Sequence, residues 1–171
     1  MAQKHNDPQE NGVKKYYIIN RVLYVFLQWT WGIIQNIMGL CLWIYLRIRK
    51  PEAERSFYHG AVVTDWGRGR GSMGLGMFIF FGHKGTRGEK AVLVHEYGHT
   101  IQSALLGPFF MPVIGIPSYT WANMKRFAKI HRSGRRSYFD FYPEKWANAC
   151  GEHVLHQAAP ESRRYAKEVT A

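Results

Sequence analysis

The sequence predicts an α+β fold: a small β-hairpin or sheet beside two helices, preceded by a long apolar N-terminal helix. Three observations predict it. Residues 22–46 carry no charge and are mostly apolar, two strand-like segments follow, and residues 90–105 then show the 3.6-residue period of an amphipathic helix. The chain of 171 residues is long enough for one domain with a modest core.

Composition divides the chain into three parts. Residues 1–15 are mostly polar and are expected to form a flexible N-terminus. Residues 16–50 are expected to form the long apolar helix, and residues 51–171 hold the strands and the remaining helices. The two cysteines, Cys41 and Cys150, are too few for a disulfide framework.

The apolar helix is long enough to cross a bilayer, which takes roughly 20 residues. Small and polar residues nevertheless recur along it at helical spacing, at Gln28, Gly32, Gln35, Asn36 and Gly39. In a membrane such a stripe packs helix on helix, whereas in water it packs on another helix or lines a cleft. We expect residues 16–48 to anchor the chain in a membrane, with a buried core helix as the alternative.

Two segments after the apolar helix are predicted to be strands. The first covers residues 61–66 and the second residues 75–81, and both are rich in β-branched or aromatic residues. Residues 67–71 are a Gly-Arg repeat, which is predicted to join the two strands as a hairpin-like loop.

The next helix contains His95-Glu96-Tyr97-Gly98-His99, which matches the pattern H-E-x-x-H. On a helix His95 and His99 lie on one face a turn apart, so their imidazoles can bind one Zn²⁺. Glu96 between them can act on a metal-bound water. Gly98 costs roughly 1 kcal/mol against alanine in mid-helix, which indicates that another element approaches closely there.

A catalytic zinc site uses three protein ligands and a water, so a third ligand is needed. Glu144 is best placed, because Pro143 suits the first position of a second helix and puts Glu144 in its first turn. Ala147 and Asn148 share that face. The alanine leaves room for the first helix, at Gly98, and the amide can hold a ligand histidine by its other ring nitrogen. The other downstream residues able to bind a metal are His131, Asp140, Glu152, His153 and His156.

Together these residues resemble those of a gluzincin-type zinc metallopeptidase, in a minimal version. In that group an H-E-x-x-H helix supplies two zinc ligands, and a later helix with the pattern E-x-x-A-D supplies the third. Residues 144–148 read E-K-W-A-N, so Asn148 replaces the usual aspartate. The resemblance implies a zincin-like fold, Zn²⁺ bound by His95, His99 and Glu144, and Glu96 as the catalytic base. Asn148 is expected to orient a ligand histidine, without the charge of an aspartate.

Peptidases of this kind bind the substrate backbone on an edge strand beside the metal helix, a mode that suits extended peptides. The strand before the helix is expected to take this part. Gly74, Gly76 and Met77 are its predicted substrate-binding residues, since glycine lets another chain come close. A plain buried strand is the alternative.

The expected function is zinc-dependent hydrolysis of a peptide or protein substrate. Glu96 is expected to accept the water proton and to pass it to the leaving amine, and a further group is needed to stabilise the oxyanion. The sequence does not choose among Tyr138, Tyr142, His83, His153, His156, Arg135 and Arg136. The rival hypothesis is a membrane-associated scaffold with an inactive or structural metal site, closed by a fourth ligand such as His153 or His156.

The charge of the chain favours anionic partners. There are 23 Lys and Arg against 12 Asp and Glu, a net charge of +11, and membrane lipid is the expected partner. No recognisable nucleic-acid motif accompanies the basic residues, so nucleic-acid binding is the least favoured hypothesis. Both flanks of the apolar run are basic, but basic residues are more numerous after it, which favours a cytoplasmic position for the catalytic part. A soluble cytoplasmic protein is the alternative.

Overall fold

A computed structural model of the chain describes residues 21–133 and 136–161. The predictions for residues 1–15, for residues 16–20 of the apolar helix and for Arg135 lie outside these ranges. The described residues form an α+β structure. Its helices and strands, in chain order, are α1 (Arg21–Trp29), α2 (Ile33–Arg49), β1 (Arg55–Tyr58), β2 (Ala61–Asp65), β3 (Met73–Leu75), β4 (Phe78–Phe81), α3 (Glu89–Leu106), α4 (Ile116–Asn123), α5 (Lys125–Arg132) and α6 (Tyr142–Leu155).

The strands form one sheet in the order β1-β2-β4-β3. β1 pairs with β2 and β3 pairs with β4 in antiparallel fashion, whereas β2 and β4 run parallel. β3 is therefore an edge strand, and it lies against α3. Ile79 and Phe81 of β4 pack with Val94 and Tyr97 of α3 in the larger of two buried clusters, so the sheet supports the H-E-x-x-H helix directly.

Two predictions about this sheet are wrong. The strand predicted over residues 75–81 is interrupted, because the chain reverses at Gly76-Met77 and β3 folds back on β4. Gly76 has a φ of +61°, which few residues other than glycine adopt. Residues 67–71 are not a hairpin turn either, since β2 and β4 are parallel and the segment leads past β4 to the sheet edge.

The prediction of one long apolar helix is also wrong. The helix breaks at residues 30–32, and α1 and α2 meet at an angle of 91°. Gly32, a poor helix former, lies at the break, where a Cβ atom would come within 2.9 Å of the Gln28 amide oxygen. Among residues 21–133 and 136–161, no helix is by itself long and apolar enough to cross a membrane, although α1 and α2 together meet the criteria of length and composition.

The polar stripe of the apolar helices is buried against α3 and the sheet. The Gln28 side-chain amide donates to the Thr100 carbonyl over 2.7 Å, and that of Gln35 donates to the Gly107 carbonyl over 2.9 Å. The Asn36 side-chain oxygen accepts from the backbone N–H of Met77 over 2.9 Å. Each half of the bent pair is therefore fixed to the rest of the fold by buried amides rather than by apolar packing alone.

The helices α3 and α6 cross with their backbones in contact. A Cβ atom at Gly98 would overlap the carbonyl of Ala147, and one at Gly151 would overlap the carbonyl of Val94. The fully buried Ala147 is small enough to sit at this crossing. The two glycines thus set the distance between the helix that holds His95 and His99 and the helix that begins at Tyr142.

We expect Gly98→Ala to destabilise the protein by roughly 3 kcal/mol, because the added methyl group must force two backbones apart. Helix propensity alone would change stability by about 1 kcal/mol in the opposite direction. Gly115→Ala is the matched control, since its Cβ would meet the flexible Met111 side chain 3.0 Å away. Thermal unfolding followed by circular dichroism measures both variants, and equal stability of the two would contradict the close crossing.

Candidate metal centre

Three buried side chains converge between α3 and α6. The imidazoles of His95 and His99 come from α3 and the carboxylate of Glu144 comes from the first turn of α6. Their ligand atoms lie within 4.8 Å of one another, a group that could hold a metal ion. Glu144 reaches the histidines because Pro143, without a backbone N–H, fits the first turn of α6 and the crossing at Gly98 brings α6 against α3.

Both histidines direct the same ring nitrogen at the same carboxylate oxygen. His95 Nε2 lies 3.1 Å and His99 Nε2 lies 3.4 Å from Glu144 Oε2. All three side chains are almost completely buried. The space between them is therefore shielded from solvent and is lined by two nitrogen atoms and one oxygen atom of the types that bind divalent transition metals.

Asn148 fixes the proton on the His95 ring. Its side-chain NH₂ donates to the Pro160 carbonyl over 2.9 Å, so its oxygen must be the atom that faces His95 Nδ1 at 2.7 Å. Nδ1 then carries the ring proton and donates it to this oxygen. The ring edge of His95 also meets Phe139, with the ring centroids 5.1 Å apart.

Gln102 does the same for His99, a role that the sequence analysis did not assign. The Gln102 NH₂ group donates to the Pro143 carbonyl over 2.9 Å, which turns its oxygen toward His99 Nδ1 at 2.8 Å. The sequence does indicate this role, because Gln102 lies three residues after His99 on the same helical face. The side chain that orients His99 on α3 thus also bonds to the residue before Glu144 on α6.

These two amides leave the Nε2 lone pairs of both histidines facing the Glu144 carboxylate. With one proton on each ring, neither histidine donates to Glu144, and a cation between the three side chains would offset the repulsion of their lone pairs. In the metal-free protein, a second proton on the His99 ring can supply this positive charge instead. Burial lowers the pKa of His99, but the hydrogen bond and charge of Glu144 outweigh burial and raise the pKa to about 9. Burial raises the pKa of Glu144, but the two histidines outweigh it and hold that pKa well below its usual value.

Glu96 lies beside the three ligand residues and is not one of them. Its side chain is buried, and its Oε2 has no hydrogen-bond partner. Burial raises the pKa of Glu96, while the charges of His95 and His99 oppose that rise. The backbone N–H of Gly74 also stabilises its charged form. A buried carboxylate with a free oxygen beside a cation site is able to exchange a proton with a molecule bound there.

The predicted substrate-binding residues lie at the edge of the sheet, where two helices pack on them. A Cβ atom at Gly74 would come within 2.7 Å of the Glu96 carbonyl, and one at Gly76 within 2.6 Å of Asn36 Cα. Both glycines therefore let α3 and α2 approach β3. Met73 is the most accessible residue of the strand. Substrate binding at Gly74, Gly76 and Met77 stays a prediction.

Of the predicted oxyanion helpers, Tyr138 is close enough for the Glu144 and Glu96 carboxylates to affect its pKa. Burial raises the pKa of Tyr138, and the charges of Glu144 and Glu96 raise it further. Tyr142 instead donates its hydroxyl to the Val113 carbonyl over 2.6 Å, and His83 Nδ1 lies 2.9 Å from the Ser72 hydroxyl. The remaining candidates that the structure describes, His153, His156 and Arg136, are exposed.

Metal binding is expected to strengthen as the pH rises toward about 9. The metal-free protein holds a proton on His99 below that pKa, and an arriving ion must displace it. Affinity should therefore rise about tenfold per pH unit below about 9 for each proton released. Calorimetric titration with Zn²⁺ in buffers of different ionisation enthalpy measures the released proton. Glu144→Gln, which removes a ligand, should show little binding, and pH-independent binding by the parent would contradict the site.

No protein-family model, curated protein or solved structure matches the chain. The resemblance to gluzincins therefore depends on the residues of the site. The structure shows an α+β fold in which a buried group of His95, His99 and Glu144 could hold a metal ion.

Proposed function

We propose that this protein is a zinc-dependent peptidase whose ion is held by His95, His99 and Glu144. One observation carries the proposal: the buried His-His-Glu group has a second buried carboxylate, Glu96, beside it with an oxygen that makes no hydrogen bond. Neutral atoms such as Thr64 Oγ1 are also buried without a partner, but burial of a carboxylate without one costs more free energy. Its place beside a group that could hold a cation favours a functional role for Glu96 over a structural one.

The ligand set supports zinc with an open coordination position. Two imidazoles and one carboxylate are the protein ligands of one class of catalytic zinc sites, in which water or substrate takes the fourth position. Bound zinc lowers the pKa of water to near neutrality and polarises a carbonyl group. His153 and His156, which would close a four-ligand structural site, are exposed and are not in the His-His-Glu group. Their position favours an enzyme over the scaffold alternative.

We assign proton transfer to Glu96. Burial raises the pKa of its carboxyl group, which brings the group closer to the range where it can both accept and return a proton near neutral pH. In the proposed reaction Glu96 Oε2 takes a proton from the attacking water and delivers it to the nitrogen of the leaving amine. The backbone N–H of Gly74 donates a hydrogen bond to the same carboxylate.

We assign Tyr138 to stabilise the oxyanion. Its ring is supported by the short helical turn Tyr138–Asp140, which the Ser137 side chain caps, and Phe139 in the same turn contacts His95. The tyrosine is thus held by the same elements that hold a metal ligand. A neutral hydroxyl, whose pKa the neighbouring carboxylates raise, can donate to a developing negative charge without losing its proton.

A peptide is the proposed substrate because β3 is a sheet edge beside α3. Extended peptides add to such edges through backbone hydrogen bonds. α2 covers the end of the strand at Gly76, so a peptide would enter from the side of Met73.

The proposal is tested by separating metal binding from hydrolysis. Glu96→Gln should keep about one zinc per chain and lose hydrolysis of fluorescently labelled casein by roughly 10²- to 10⁴-fold, because only the proton acceptor is removed. Glu144→Ala should lose the zinc as well. The matched control is Glu52→Gln, which changes an exposed glutamate far along the chain from the site and should retain both properties.

Two results would overturn the proposal. Purified protein that binds no zinc would exclude the metal site. Protein that binds zinc but hydrolyses neither casein nor a mixed peptide library would favour the scaffold alternative. Inhibition of the parent by a zinc-chelating hydroxamate, without loss of the ion, would support an open site.

Tyr138→Phe is expected to lower kcat by roughly 10²- to 10³-fold with little change in zinc content, because a single oxyanion donor is lost. The control is Tyr119→Phe, since Tyr119 is exposed on α4. Steady-state kinetics on a peptide substrate and zinc analysis measure the two effects. An unchanged kcat would remove Tyr138 from the mechanism and leave the metal ligands unaffected.

A further inference from the structure

The helices α1 and α2 have a polarity opposite to that of helices on a water-facing surface. Their buried side contains the fully buried amides Gln28, Gln35 and Asn36. Their outward side carries large apolar residues, namely Val22, Leu23, Phe26, Trp29, Trp31, Ile33, Ile34, Ile37, Met38, Ile44, Tyr45 and Ile48. A surface helix in water normally turns its polar side outward. Here the amides are bonded inward, and the apolar side chains on the outward side are exposed among the residues that the structure describes.

The same apolar surface continues beyond the bent pair. The Trp31 indole donates to the Leu105 carbonyl over 3.3 Å, so the bend lies against the C-terminal end of α3. Leu105 and Phe109 are exposed there, and Ile116 is exposed at the start of α4. Residues 100–124 carry no charge, like residues 22–46. Two uncharged segments that are distant in the sequence thus meet at the bend, and both expose large apolar side chains there, unlike the singly scattered apolar residues of ordinary surfaces.

Exposed basic residues follow both uncharged segments. Arg47 and Arg49 end α2, and Lys125, Arg126 and Lys129 lie on α5. Basic residues next to an apolar surface complement anionic lipid head groups, each contributing to attraction within about a Debye length of the bilayer. A second copy of this chain would instead bring a second set of positive charges to the same rim, which opposes self-association through this surface.

We propose that the apolar surface of α1, α2 and the 105–116 segment binds an anionic lipid bilayer, with its apolar side chains among the acyl chains and the basic residues at the head groups. This inference does not depend on the chemistry of the metal centre. One consequence does rest on the proposed function. Tyr142, two residues before Glu144, is exposed and bonded to the Val113 carbonyl within the uncharged 100–124 segment. The membrane-bound chain would therefore hold the centre close to the lipid–water interface.

The test is flotation of the full chain, diluted out of detergent, with phosphatidylcholine vesicles that contain or lack phosphatidylserine. The parent should float with both and more strongly with the anionic vesicles. Phe26→Glu and Ile37→Glu, at side chains 60% and 48% exposed, should each reduce binding about tenfold or more, because a charge replaces an inserted apolar group. Phe57→Glu is the matched control at a 78% exposed position on β1, outside the surface, and should bind like the parent.

Two further measurements make the outcome decisive. The triple variant Lys125→Ser, Arg126→Ser, Lys129→Ser should bind less tightly only to the anionic vesicles. Added salt should likewise weaken the binding of the parent to anionic vesicles. Circular dichroism and thermal unfolding show that each variant is folded. Equal flotation of Phe26→Glu, Ile37→Glu and the parent would overturn the proposal. The proposal would also be overturned if the parent did not bind vesicles and formed a dimer that Ile37→Glu dissociates. The surface would then be a contact between two copies of the chain.

Discussion

The contact between the backbones of α3 and α6 is the constraint on which the candidate site depends. Gly98 meets the Ala147 carbonyl, and Gly151 meets the Val94 carbonyl, so the contacts on α3 lie on both sides of His95 in the sequence. Side chains of ordinary size would hold the helices 8–10 Å apart. At the closer distance, the short carboxylate arm of Glu144 reaches both histidines. The ligand geometry is therefore a property of the helix crossing rather than of flexible side chains.

Buried amide side chains position the two histidines and the outer helices, a task that apolar packing performs in many proteins. Asn148 and Gln102 orient the two histidines, while Gln28 and Gln35 attach the outer helices to α3. Each amide has a donor and an acceptor in one rigid plane, so bonding at one end decides which atom faces the other end. Because the amides of α1 and α2 bond inward, the buried side of the bent pair is polar and its exposed side is apolar.

The sequence predicted the local parts of the site. The spacing of His95 and His99 follows from the helix repeat, and Pro143 places Glu144 by rules that involve only its own helix. The non-local parts were predicted poorly. The parallel pairing of β2 with β4 and the break at residues 30–32 depend on partners distant in the chain, which no short window contains. Gln102 was on the correct face, but its role requires the Pro143 carbonyl, forty-one residues away.

Hydrogen bonds connect His99 through Gln102 to the Pro143 carbonyl, and Glu144 is the next residue in the chain. An ion bound by His99 and the Glu144 carboxylate would close these links into a ring. The ion then acts as a cross-link between two helices that are far apart along the chain. Separation of α6 from α3 would then break a metal–ligand bond as well as the packing at the crossing. A bound ion would therefore raise the free energy of local unfolding of α6, and the protection of α6 amides from hydrogen exchange would rise with metal occupancy.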